Sequence, residues 1–220
     1  MDKLDLPKGL TFLSGWKRGG KSRFALKWAN HLAKNQKVLY LNWGSYEAKH
    51  LHDLKQMGDD ISPKLEIDSS YDFLDSNTYI EIFTHIEKEG FDVVFFDDIQ
   101  YTIYNHFNDN YYADQSAICN AMVFLSRLLD VKVVLVSEVT EMWNGHVSDL
   151  SLKQYPRELV NKCSQIYFLN RPYLNDFKED INGNSTLHHI ELISLKNTNN
   201  EAFTRLLDNS TLNIYNDLPL

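Results

Sequence analysis

The stretch Leu10–Leu32, LTFLSGWKRGGKSRFALKWANHL, places a glycine-rich turn between two segments of different periodicity. Residues 10–14 are mostly apolar, which predicts a strand, and apolar residues then recur at helical spacing from Lys21 to about Asn35. Between the two segments, Gly15–Ser22 matches the phosphate-binding pattern GxxxxGK[ST], also called Walker A. The motif requires a strand before it and a helix after it, so the sequence predicts a phosphate site at this turn.

Each kind of residue in this loop has a chemical reason to be there. Glycines let the backbone curl so that successive N–H groups point at one anion, and the start of the following helix adds a positive dipole end. Lys21 supplies charge to the phosphates and to the reaction, and Ser22 supplies a hydroxyl for Mg²⁺. We therefore expect ATP and Mg²⁺ as ligands. The expected nucleotide contacts are Gly15, Trp16, Lys17, Arg18, Gly19, Gly20, Lys21 and Ser22.

A second chemical signal is the run Val93–Asp98, in which four apolar residues end in two carboxylates. A strand that ends in this way can bring an aspartate to the phosphate loop, where it holds Mg²⁺ through water. We assign Asp97 to the metal site together with Ser22. Asp98 is a candidate for polarising an attacking water, or it is an exposed carboxylate of the turn.

The rest of the chain alternates short apolar runs with amphipathic stretches, which is typical of an α/β protein with a mostly parallel sheet flanked by helices. The last third of the chain differs from this alternation, because its short apolar runs are typical of strands that form an antiparallel edge of the sheet. Further strands are predicted at residues 37–42, 65–67, 91–96, 131–137, 165–169, 188–195, 202–207 and 211–215, and further helices from 45 or 46, at 79–88, 113–129 and 156–162. We expect one domain over residues 1–220.

Composition narrows the class of protein. The chain is 43% hydrophobic and 24% charged, as in ordinary globular domains, and its net charge of −8 argues against a surface that binds nucleic acid without specificity. Cys119 and Cys163 have no metal-ligand spacing and are expected to be reduced and buried. No signal segment or membrane-spanning run is evident. We expect a cytoplasmic protein with no membrane partner.

These motifs resemble those of a known family. Residues 9–33 with KVLYLN (37–42) resemble the opening of the RecA-like ATPase domain of DnaB-type replicative DNA helicases. FDVVFFDDIQ (91–100) and VKVVLVSEVTE (131–141) resemble the next two motif strands of that family, and PRELVNKCSQIYFLNRPY (156–173) resembles a later segment. The resemblance extends from Gly9 to Tyr215. It implies a RecA-like P-loop fold, ATP hydrolysis, a role in DNA replication, and single-stranded DNA, a homo-oligomer or a replication protein as partners.

The chain also departs from the pattern of that family. Gly44 stands where the family has a catalytic glutamate, with Glu47 three residues on as the candidate replacement, and Glu138 replaces a glutamine that senses the γ-phosphate. Thr198 stands where the family has an arginine finger, which contributes about 10³ to 10⁵ in rate. The family's N-terminal helical domain is also expected to be missing. Hydrolysis should therefore be weak or absent.

Two interpretations of function follow from these departures, and a third is weaker. The chain is a helicase-type ATPase core with weak or absent hydrolysis, or it is a catalytically degenerate nucleotide-binding switch, adaptor or replication accessory protein. A small-molecule kinase is supported only by Arg157 and Arg171 as phosphate-binding arginines.

The aromatic segment Tyr101–Tyr112 either stacks on single-stranded bases or anchors a loop or a protein interface. Lys17 and Arg18 form a phosphate-binding rim or a solvated turn.

Overall fold

The computed structural model describes residues 4, 6–16, 18–42, 47–71, 76–97, 111–138, 157–175, 178–179, 185–196 and 203–218. These residues form a central sheet with helices on both faces. Its strands are β1 (Gly9–Gly15), β2 (Val38–Asn42), β3 (Leu65–Asp68), β4 (Val93–Asp97), β5 (Lys132–Glu138), β6 (Cys163–Asn170), β7 (His189–Lys196), β8 (Phe203–Asp208) and β9 (Ile214–Leu218). Its helices are α1 (Lys21–Leu32), α2 (Glu47–Gln56), α3 (Ser76–Glu89), α4 (Tyr111–Leu128) and α5 (Arg157–Lys162).

The nine described strands lie in the order β3-β2-β4-β5-β1-β6-β7-β8-β9. Pairing is parallel from β3 through β6 and antiparallel from β6 through β9. The predicted parallel sheet with an antiparallel edge is thus confirmed. Because the six neighbouring strands from β3 to β6 are parallel, their carboxyl ends lie along one end of the sheet, which is where α/β proteins bind ligands.

Alternate residues of the buried strands point to opposite faces of the sheet and so build two separate cores. On the face of the sheet that α1 and α2 cover, Trp28 of α1 is fully buried. Its ring packs edge-on against those of Phe95 and Tyr167, with centroids 5.9 Å apart in both pairs. On the other face, Phe96 packs in a cluster with residues of α3, α4 and α5. Burial on both faces explains why β4 and β5 are almost continuous apolar runs in the sequence.

The predicted elements lie close to the observed ones, but several ends differ. Helix α3 begins at Ser76 and not at residue 79, and β9 spans Ile214–Leu218 and not 211–215. Helix α1 ends at Leu32 and not near Asn35, because the amides of Lys34 and Asn35 bond three residues back, in a tighter turn. Helix α4 begins at Tyr111, so the predicted loop over 101–112 is wrong for its last two residues. Aromatic residues are only mildly disfavoured in helices, so the apolar period continues through them. Residues 101–110 lie outside the described residues.

Two smaller sequence expectations can be compared with the described residues. Cys163 is a buried free thiol in the first position of β6, as expected. The side chain of Cys119 lies outside the described part of the chain. Among the helices that the structure describes, none combines the length and apolar character needed to cross a membrane.

Candidate nucleotide-binding site

The parallel register brings five strand ends together. Gly15, the last residue of β1, lies beside Glu138 at the end of β5 and beside Leu169 near the end of β6. Asn42 at the end of β2 lies beside Asp97 at the end of β4. The strand ends therefore bring polar side chains to the same place as the glycine-rich turn, although the residues are far apart in sequence.

The turn after β1 is closed by contacts that only glycine allows. A Cβ atom on Gly15 would lie 2.6 Å from the backbone oxygen of Leu169, and one on Gly19 would lie 2.9 Å from the backbone oxygen of Trp16. The amide of Gly19 also donates a hydrogen bond to that Trp16 oxygen at 3.0 Å. Gly20 has φ +91°, in the left-handed region that favours glycine. The predicted curled loop is therefore present, with tight backbone packing at its base.

The loop leads directly into the amino end of α1. Gly20 is the N-cap residue of this helix, and no side chain caps it by a hydrogen bond. The first amides of a helix need partners from outside the helix, and an anion is a suitable one. Arg18 is exposed with φ +62°, while Lys17 lies outside the described residues. A phosphate group would therefore meet backbone donors and the positive end of the helix dipole at this turn.

Lys21 points back into the loop that precedes it. Its side chain is only 7% exposed, and its Nζ donates a hydrogen bond to the backbone oxygen of Trp16 at 2.9 Å. The same Nζ lies 3.7 Å from Oε2 of Glu138, so the two residues form an ion pair. The structure thus places the predicted phosphate-binding lysine at ion-pair distance from Glu138.

Asp97 is fully buried and has donors on both carboxylate oxygens. Ser22 Oγ donates to Oδ1 at 3.1 Å, while Tyr40 Oη and Asn42 Nδ2 donate to Oδ2 at 2.5 and 3.1 Å. Burial raises the pKa of Asp97, and the hydrogen bonds from Tyr40 and Ser22 and the charges of His50 and Lys21 oppose that rise. A cation beside this carboxylate would offset the cost of its burial.

His50 of α2 completes the surroundings of Asp97. It is 3% exposed, and its ring packs edge-on against that of Tyr40, with centroids 5.6 Å apart. Burial lowers the pKa of His50, although the carboxylates of Asp97 and Asp53 raise it, and its Nε2 has no hydrogen-bond partner. The ring is therefore a buried packing partner for the tyrosine that holds Asp97.

Tyr40, Asn42 and His50 were not predicted as site residues. One signal for Asn42 existed, because it is a polar residue at the end of the apolar run KVLYLN, in the same position on its strand as Asp97 on β4. Tyr40 and His50 carried no such signal, since their neighbours depend on strand order and helix packing. Arg171, which follows β6 at the same end of the sheet, has a buried Nε without a hydrogen-bond partner.

The remaining predicted residues are placed as follows. Glu47 is the first residue of α2, and its side chain is exposed. Asp98, Gly44 and Thr198 lie outside the described residues, so their assignments stay predictions. The structure therefore shows a hydrogen bond between Ser22 and Asp97 and an ion pair between Lys21 and Glu138. The water-orienting roles of Glu47 and Asp98 stay predictions.

The donor set at this place suits a phosphorylated ligand with Mg²⁺. The described residues contain no group of three or more His, Cys, Asp or Glu that could hold a metal ion by themselves. Magnesium, however, usually takes one or two protein oxygen ligands and completes its shell with water and substrate phosphates. Ser22 and Asp97, 3.1 Å apart, supply such oxygens beside the glycine cradle. Ser22 and Asp97 therefore fit the Mg²⁺ ion that the Gly15–Ser22 motif implies.

Comparison with known proteins agrees with the fold. No protein-family model and no curated protein matched the chain. Among solved structures, a DnaB-like replicative helicase, described with its interactions with primase, matches with a TM-score of 0.73 and 17% identity, covering 95% of this chain. A solved ATPase domain matches with a TM-score of 0.66 and 19% identity, covering 96% of this chain and 86% of that domain.

This chain spans 57% of the length of the helicase it matches. At these identities the likeness establishes the fold, and the predicted RecA-like architecture of DnaB-type ATPase domains is confirmed. Function has to be argued from the site itself.

Proposed function

We propose that this chain binds ATP and Mg²⁺ as a RecA-like P-loop protein and hydrolyses ATP weakly. The observation that carries the proposal is the convergence of Lys21, Ser22 and Asp97 at one end of the sheet, directly after a loop that only glycines can form. A glycine turn with no ligand has no need of a buried lysine and a buried carboxylate beside it, since burying charge is unfavourable.

Each residue has a distinct role in the proposed binding. Backbone N–H groups of the Gly15–Ser22 loop would hold the inner phosphates, and the Lys21 ammonium would contact the outer ones. Ser22 and Asp97 would hold Mg²⁺, which neutralises charge on the phosphates. Tyr40 and Asn42 fix the orientation of Asp97 through their hydrogen bonds to Oδ2.

Weak hydrolysis follows from the surroundings of the proposed γ-phosphate position. Attack by water requires a group that orients the water and positive charge that stabilises the transition state. Glu138 instead places a carboxylate 3.7 Å from Lys21 Nζ, where it reduces the positive potential. Glu47 and Asp98 are the proposed water-orienting residues, and the exposure of Glu47 means that α2 or its side chain would have to move for contact.

The proposed partners follow from the fold that this chain shares with the two solved structures. The solved helicase is described with its interactions with primase, and we extend to this chain a replication-type protein, single-stranded DNA or further copies of itself as partners. The net charge of −8 restricts any DNA contact to a local surface. A cytoplasmic location is part of the same proposal.

Calorimetric titration with ATP in the presence of Mg²⁺ tests the nucleotide site. Lys21→Ala should weaken ATP binding by about a hundredfold or more, since it removes the charge-assisted contact to the phosphates. Lys88→Ala is the matched control, because Lys88 is an exposed lysine of α3, and it should leave ATP affinity unchanged. Equal affinities of Lys21→Ala and wild type for ATP would refute the phosphate-loop assignment.

The alternative function is a switch, adaptor or replication accessory protein that binds nucleotide without useful turnover. The ion pair of Glu138 with Lys21 is the observation that favours it. An ATP hydrolysis assay with and without single-stranded DNA separates the two functions. Turnover that DNA stimulates supports the helicase-type ATPase, whereas tight ATP binding without stimulated turnover supports the alternative.

A further inference from the structure

The ammonium group of Lys21 already has two oxygen partners within the protein. Its Nζ donates to the backbone oxygen of Trp16 at 2.9 Å and lies 3.7 Å from Oε2 of Glu138. The second contact is built into the sheet, because the parallel register of β1 and β5 places Glu138 beside Gly15, the residue at which the loop begins. The carboxylate is therefore held at the loop by backbone pairing.

The ion pair lies in a partly desolvated place. Lys21 is 7% exposed and Glu138 is 24% exposed, so solvent screens their charges less than it screens a surface pair. An anion that approaches Lys21 from outside meets a competing carboxylate and its negative field. Glu138 therefore acts on any ligand group that needs the Lys21 ammonium.

We propose that Glu138 determines which nucleotide the loop accepts, by occupying the outer-phosphate contact of Lys21 and favouring a nucleoside diphosphate over a triphosphate. The inference rests on the proposed nucleotide function. In a phosphate-binding loop the backbone amides hold the inner phosphates, and the lysine reaches the β- and γ-phosphates. A diphosphate binds through the amides and one donor of the Lys21 ammonium, so Glu138 can stay beside Lys21. A triphosphate has to displace Glu138 and place its γ-phosphate beside a carboxylate.

The consequence is a site whose resting ligand is a nucleoside diphosphate such as ADP. Like charges brought together in a partly buried place are unfavourable, and this penalty falls on the third phosphate and not on the first two. Neutralising Glu138, or moving it away from Lys21, would convert the site to one that accepts the triphosphate. The selectivity between the two nucleotides is then a property of one side chain.

Calorimetric titrations with ADP and with ATP, both with Mg²⁺, test this selectivity. In the wild type, ADP should bind at least about tenfold more tightly than ATP. Glu138→Gln keeps the size of the side chain and removes its charge, so it should strengthen ATP binding about tenfold and change ADP binding less than about threefold. Glu87→Gln makes the same chemical change at an exposed position of α3 and should alter neither affinity.

Two further variants make the outcomes distinguishable. Glu138→Ala should shift the ATP-to-ADP affinity ratio in the same direction as Glu138→Gln, and melting temperatures show that each variant is folded. An unchanged ratio in both variants, or a wild type that prefers ATP, overturns the role of Glu138 while leaving nucleotide binding intact. Nucleotide affinity that survives Lys21→Ala, or failure of wild type and both Glu138 variants to bind either nucleotide, overturns the proposed function and this inference with it.

Discussion

The carboxylate of Asp97 is the charged side chain of the proposed metal site, where it lies beside Ser22. Burial raises its pKa, which means that the folded state binds a proton more readily than the unfolded state does. The free energy of unfolding therefore falls as the pH rises from the unfolded pKa through the raised folded pKa, because the unfolded chain then ionises more easily. The ionised form of this carboxylate is unfavourable to bury, and a bound cation would offset that cost.

Asp97→Asn should separate these two effects. We expect its free energy of unfolding at pH 7, without Mg²⁺, to exceed that of the wild type by about 1 kcal/mol, since a neutral amide is less costly to bury. Its nucleotide affinity should no longer depend on Mg²⁺. Urea denaturation measures the first quantity, and titration with nucleotide in Mg²⁺ or in EDTA measures the second.

Asp60→Asn is the control for this substitution, because Asp60 is an exposed carboxylate in the connection between α2 and β3. It should change neither stability nor the effect of Mg²⁺. A D97N variant that keeps the full Mg²⁺ dependence of the wild type would remove Asp97 from the metal site.

Among the elements, the unit formed by β1, the glycine loop and α1 sets the geometry of the site. A Cβ on Gly15 would lie 2.6 Å from the backbone oxygen of Leu169 in β6 and 3.2 Å from Cγ of Lys21. A backbone atom of a paired strand cannot rotate away as a side chain can. A larger residue must therefore displace the loop, the lysine or the strand.

Gly15→Ala should lower the free energy of unfolding by about 1–3 kcal/mol, the range for overpacking a well-packed region. It should also weaken nucleotide binding, because the added methyl group presses on Lys21. Gly58→Ala is the comparison variant, since Gly58 has φ +75° and open space around its Cα. That variant should lose about 1 kcal/mol from the left-handed backbone alone and keep full nucleotide affinity.

Urea denaturation and nucleotide titration of both glycine variants provide the test. The expected pattern is a loss of stability in both variants and a loss of binding only at Gly15. If G15A bound nucleotide as well as G58A does, the close approach of β1 to β6 would not control the position of Lys21.

For the whole molecule, the features that could be predicted from the sequence are those whose pattern lies within a short run of neighbouring residues. The Gly15–Ser22 loop and the strands β4 and β5 could be read from contiguous residues, because a motif or a strand buried on both faces has a pattern within a few positions. The fold class followed from the alternation of such patterns. Helix ends were less accurate, since the last turn of α1 is tightened by local hydrogen bonds that no apolar pattern encodes.

The contacts across the sheet were beyond sequence reasoning. Tyr40 and Asn42 reach Asp97 only because β2 pairs with β4, and Glu138 reaches Lys21 only because β5 pairs with β1. Strand order and register are properties of the folded chain, and they decide which distant residues become neighbours. The sequence shows a glutamate at the end of an apolar run at position 138, but its ion pair with Lys21 required the structure.

The proposed function depends above all on the binding of nucleotide phosphates in the Gly15–Ser22 loop. A crystal structure of the protein grown with ADP and Mg²⁺ tests it most directly. We expect the terminal phosphate within about 3 Å of the loop's backbone nitrogens, and Ser22 among the groups that hold Mg²⁺. Nucleotide density away from this loop, or no density at saturating ADP, would contradict the claim.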